Sequence, residues 1–228
     1  MKTIFHLLLV TMSQFANAIG HDQGNGGVVV QCPGYRQPFS LDYVLAQPLF
    51  DKKIKLVSAE SAESSLARIS NLLKKNNLSE LNSSFSQFVA NLKNTEDETQ
   101  PYLWENSYSE LEELDDQNFA RLPSFCNSGR GTTVRFYQAV IRKVENPLST
   151  CPNVVFHYDR DAVSSLGSLQ RSFLFVHEWL WSVSKDVVQN RKINYFLHTE
   201  LMDTLSPQNI HQRLKSYGLD LPDQADEK

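Results

Sequence analysis

Residues 173–198, FLFVHEWLWSVSKDVVQNRKINYFLH, decide how this chain is read. Between positions 173 and 181 only His177 and Glu178 are polar, so the run is apolar on nearly every side and belongs in a core. An imidazole and a carboxylate inside such a run need partners, because a buried unpaired carboxylate costs several kcal/mol. The second half of the stretch supplies them. Arg191, Asn194 and His198 fall at i, i+3 and i+7 and so share one face of a helix. The pattern predicts helices at about 168–182 and 186–200, with His177, Glu178, Arg191, Asn194 and His198 as a polar cluster between them. In this reading Glu178 pairs with Arg191, and Glu178→Gln costs roughly 1–3 kcal/mol because the guanidinium keeps only a weaker acceptor.

Working outward, a third helix is expected at about 206–217. Ser206-Pro207 starts it and Tyr217-Gly218 stops it. Upstream, 154–158 (VVFHY) reads as a strand. Residues 132–144 (TTVRFYQAVIRKV) read as a long strand with a bulge, with a helix over 138–144 as the alternative. The β-branched run 28–32 (VVVQC), closed by Pro33-Gly34, is the natural third member of an antiparallel sheet. Leu41 opens a short helical turn over 41–46 with Ser40 as N-cap.

From 58 to 93 the period turns helical. Leu66, Ile69, Leu72 and Leu73 follow the N-cap candidates Ser58 and Ser61. Asn76-Asn77 breaks that helix, and Ser79 opens a second with Leu81, Phe85, Phe88, Val89 and Leu92 as its stripe. Asn77-Leu78-Ser79 and Asn82-Ser83-Ser84 also read as glycosylation sequons, which matter only in a eukaryotic secretory pathway. Residues 102–104 suggest a short strand. The acidic stretch 105–116 lacks the alternating ligands and central Gly of a calcium loop and reads as a solvated helix end. The fold class is α+β: a small, mostly antiparallel sheet packed by C-terminal helices, with an inserted helical hairpin at 58–93.

Residues 1–18 have the form of a signal peptide. Lys2 is the positive region, 4–10 is the apolar region, and Ala16-Asn17-Ala18 fits the cleavage rule. Cleavage after Ala18 leaves a single domain, 19–228, with a secreted or periplasmic location. Its lead-in 19–27 (IGHDQGNGG) is polar and Gly-rich, and His21 there reads as a solvated residue. No later run reaches the length of a membrane span. Removing one lysine from 22 basic and 26 acidic residues leaves an acidic mature chain, which argues against nucleic acid as a partner. Three cysteines allow one disulfide in an oxidising compartment. If 28–32 runs antiparallel to 132–144, its end meets the start of that strand, which favours Cys32–Cys126 and leaves Cys151 over.

The combination of GNGG-VVVQC, Cys126 ahead of a strand, His-Glu in an apolar helix and R-x-x-N-x-x-L-H resembles an uncharacterised family of exported bacterial proteins. The resemblance covers both ends of the mature chain but not 58–100, and it implies a compartment rather than an activity. His177-Glu178 also resembles the start of the zincin H-E-x-x-H helix, in which two His bind zinc and Glu is the general base. Carried over, His177 is the first ligand and Glu178 the base, while Trp181 stands where the second ligand belongs. His198 and His157 are then the remaining nitrogen ligands of a three-His site. Two readings follow. One is a non-catalytic binding or envelope-associated module without cofactor, acting on a protein or small-molecule ligand. The alternative is a zinc-dependent, metallopeptidase-like hydrolase.

Overall fold

The computed structural model describes residues 27–49, 54–92, 102–106, 122–126, 134–145, 153–184 and 186–222. The expected leader, His21, the linker 95–100, most of the acidic stretch, Cys151 and the tail beyond 222 lie outside the described residues.

The architecture is α+β, but it contains two three-stranded sheets where the sequence suggested one. In the first, β1 (Val28–Gln31) lies between β2 (Phe39–Ser40) and β4 (Arg135–Gln138), antiparallel to both. In the second, β6 (Asn153–Tyr158) lies between β5 (Val140–Glu145), antiparallel to it, and β3 (Tyr102–Asn106), parallel to it. In place of the bulge expected in one long strand, the run changes sheet. Ala139, fully buried, separates β4 from β5. Its N–H and that of Val140 both reach the carbonyl of Gly27, at 2.6 and 3.2 Å, and its carbonyl accepts from Asp159 N–H at 3.0 Å. Both backbone groups of Ala139 and the N–H of Val140 are thus paired, as burial of the crossing requires.

Gly27 makes that crossing possible. Its φ is +67°, and a Cβ there would meet Val140 Cβ at 2.5 Å, so both the backbone and the space call for glycine. The end of β1 meets the start of β4, with Gln31 opposite Arg135. Cys32 and Cys126 are joined there with Cα atoms 4.7 Å apart, as the strand order required.

Eight helices complete the described structure. α1 (Leu41–Leu49) extends past the expected turn. α2 (Ala62–Lys75) is capped by Ser61 in a reciprocal pair with Ser64, which selects Ser61 over Ser58. Asn77 at φ +58° turns the chain into α3 (Ser79–Asn91). After β6 come the short α4 (Arg160–Ser165), then α5 (Ser168–Leu180), α6 (Val187–Leu197), α7 (Leu201–Thr204) and α8 (Pro207–Ser216). α4 and α7 carry too few periodic positions to have been foreseen.

α5 is the central element, buried from Val176 through Leu180 on all sides. The α2–α3 hairpin is a wall of its core rather than a peripheral addition. Leu66, Ile69 and Leu73 share one cluster with Leu174, Val176 and Trp179, and Phe85 meets the Trp179 ring edge-on at 4.7 Å. Each such side chain contributes about 1.5–3 kcal/mol by leaving water. Arg68 ties the hairpin to the end of α6, donating to the carbonyls of Leu197 and Thr199 at 3.2 and 2.9 Å and pairing with Asp203.

Gly27→Ala should therefore lower the urea midpoint by an amount equivalent to roughly 1–3 kcal/mol with an unchanged slope. An undiminished midpoint would show that the crossing at Ala139 does not press on Gly27.

Candidate functional site

The polar cluster is organised by a residue outside the expected set. Asp42, in the first turn of α1, is buried at 8% exposure and faces both α5 and α6. Its Oδ2 accepts from His177 Nδ1 at 2.5 Å and from Asn194 Nδ2 at 2.9 Å, and its Oδ1 accepts from Arg191 Nε at 3.1 Å. The second N–H of Asn194 Nδ2 reaches the Phe173 carbonyl at 2.8 Å. One carboxylate thus joins three helices. Burial alone would raise its pKa, but His177, Arg191 and Asn194 more than offset that and hold it at about 2.

The expected Glu178–Arg191 pair does not form, because Arg191 is turned to Asp42. Glu178 is one residue further round α5, buried, and among the described residues its Oε1 has no hydrogen-bond partner. Burial raises its pKa to about 7, although the charges of His177 and Arg142 act the other way.

Both histidines of the cluster are fully engaged. Since Asp42 is ionised, His177 Nδ1 carries the proton of their bond. Its Nε2 accepts the indole N–H of Trp181 at 3.0 Å. Burial works against a charged ring, but Asp42's charge and hydrogen bond outweigh it and the pKa lies above the ordinary histidine value. Trp181, which needs a lone pair on Nε2, acts against protonation. His198 lies at the end of α6, where its Nδ1 is hydrogen-bonded to the Asn194 carbonyl at 2.8 Å and its Nε2 to the Ser172 hydroxyl at 2.8 Å. The ring stacks on Phe173 with centroids 4.0 Å apart, and burial lowers its pKa to about 4.

Chemically, Asp42–His177 is oriented like the acid–base half of a hydrolytic triad, with the carboxylate on Nδ1. What faces Nε2 is an N–H donor, which is neither a nucleophile nor a proton source to be activated. The space bounded by Gly27, Ser40, Asp42, Leu174 and His177 admits no water-sized molecule. The zinc set is not assembled either. His177 and His198 have no free lone pair, and His157, on β6, pairs with Glu105 at 3.3 Å. Among the described residues no three His, Cys, Asp or Glu side chains are grouped to hold a metal. The donors present do not fit zinc.

Asp42 was the residue missed in the sequence. An acid in a first helical turn is ordinary for the helix dipole. The available signal was its place between Leu41 and Val44, which forces it towards the core. No helix among the described residues is long and apolar enough to cross a membrane. Comparison with protein-family models, curated proteins and solved structures finds no match to this chain.

The two carboxylates predict opposite mutational signs. Asp42→Asn leaves Arg191 and His177 without their anion and should cost roughly 3–5 kcal/mol. Glu178 binds its proton more tightly folded than unfolded, so its ionisation erodes stability as pH rises from about 4.5 to about 7. Glu178→Gln should therefore gain on the native protein across that window, by at most about 3 kcal/mol above pH 7. Denaturant titrations at pH 5 and pH 8 read both; a Glu178→Gln loss at pH 8 would restore the expectation that Glu178 has a partner.

Proposed function

We propose that this chain is an exported, non-catalytic binding or envelope-associated module, requiring no cofactor, in which the buried polar cluster locks three helices together. The observation that carries the reading is the engagement of all four ring nitrogens of His177 and His198 within the protein. A catalytic or metal-binding imidazole must present a lone pair or a proton to something outside, and these do not. Support for export comes from the form of residues 1–18, from the joined Cys32 and Cys126, and from the absence, among the described helices, of one that could span a bilayer. Support for binding comes from a surface cleft of about 330 Å³ lined by none of the cluster residues.

The mature protein recovered from a secreting bacterial host should begin at Ile19 by intact mass and should carry no stoichiometric zinc when purified without a metal-affinity tag. Zinc bound one to one and lost in His198→Ala, with hydrolysis abolished by Glu178→Gln at unchanged stability, would replace this reading by the zinc-dependent hydrolase.

A further inference from the structure

The cleft lies where the α2–α3 turn, the chain just after α5, α8 and the segment 219–222 meet. Its volume, about 330 Å³, is at the lower end of the range that small-molecule sites occupy. Leu78, Leu81, Val183, Leu219, Leu221 and Pro222 give it an apolar wall.

Two independent sets of hydrogen-bond donors line the same space. The first is the N-terminus of α3, a thirteen-residue helix whose N-cap position is Leu78, so no side chain caps it. Among the described residues the backbone N–H groups of Ser79, Glu80 and Leu81 have no acceptor. Such a terminus carries partial positive charge and favours an anion. The second is His211 on α8. Only 7% of it is exposed, and among the described residues neither ring nitrogen has a hydrogen-bond partner. In either neutral tautomer the imidazole presents one N–H, and since neither ring nitrogen is fully enclosed that N–H is open to an acceptor in the cleft. A ligand that brings an acceptor meets both sets of donors at once.

We infer that this cleft binds a small monocarboxylic acid with an apolar body, its carboxylate taken by the α3 N–H groups and His211, its hydrocarbon part lying on the leucines. The exposed carboxylates of Glu80 and Asp220 also line the cleft, and their repulsion favours a head group with a single charge over one with two. A phosphate dianion would meet twice the repulsion for the same donors. The inference rests on the binding-module reading and gives it a ligand class.

The test is titration of the isotope-labelled mature protein with octanoate, octanamide and octyl phosphate, followed by amide resonances. Octanoate should shift the Ser79, Glu80 and Leu81 signals and bind roughly tenfold or more tightly than octanamide, as expected when one charge-assisted hydrogen bond is lost. Octyl phosphate should bind more weakly than octanoate. His211→Ala should weaken octanoate by a similar factor, and His211→Gln, which retains an N–H donor, should recover part of it. If His211→Ala fails to fold, the native-protein shifts and the acid–amide comparison decide alone. Equal binding of acid and amide, preference for the phosphate, or no shift at residues 79–81 overturns the assignment. Such a failure leaves the binding-module reading to its own zinc and turnover test, and a failure there leaves the octanoate shifts unexplained by zinc.

Discussion

A buried carboxylate, Asp42, accepts three hydrogen bonds from three side chains on two other helices, and the packing of α1, α5 and α6 depends on that contact. Removing a charge from water is unfavourable, and it is tolerated only when the lone pairs are filled with good geometry. Here His177, Asn194 and Arg191 fill them, and the first turn of α1 adds a favourable dipole. The contact also fixes ring orientation. Because Nδ1 of His177 is held on Asp42, Nε2 must point towards Trp181, one helical turn further along α5. The same geometry that anchors the helices occupies the imidazole.

Asp42 and Glu178 form a pair of acids pushed to about 2 and about 7 by their surroundings. Divergent carboxylates of this kind are a familiar mark of acid–base catalysis. Here the deciding criterion is what the perturbed groups leave over for a substrate. Asp42 leaves nothing, because its acceptors are taken by neighbouring donors. Glu178 is raised by burial and not by a partner that needs a proton moved. Perturbation marks burial first, and only leftover capacity for hydrogen bonding marks a site. By that measure the α3 N-terminus and His211 are the better candidates.

The sheet crossing at Ala139 shows how a backbone constraint shapes the same core. A single extended run serves two sheets because Gly27 approaches within a distance that no Cβ would permit and offers one carbonyl to two N–H groups. β1 is thereby placed against α1 and α5, which brings Asp42 beneath it. The hairpin of α2 and α3 closes the other side, and its Leu-rich stripe meets α5 as the apolar periodicity required.

The α+β class, the helices at α2, α3, α5, α6 and α8, the strands β1 and β6, and the Cys32–Cys126 link were legible in the sequence. Each rests on local periodicity, capping residues or a strand order with few alternatives. The burial of His177 and Glu178 was legible too, because an apolar run of that density leaves no exposed face, and the shared face of Arg191, Asn194 and His198 placed the latter two beside them. Which groups pair was not. Arg191 can choose between two carboxylates, Glu178 thirteen residues away and Asp42 far upstream, and only the folded positions of α1 and α6 make that choice. The division of 132–144 between two sheets was hidden for the same reason. Strand propensity is a property of the run, while the partner of each backbone N–H is set by chains distant in sequence. The cleft, finally, comes from four separate segments, and its donors can be counted only once every nearby acceptor has a place.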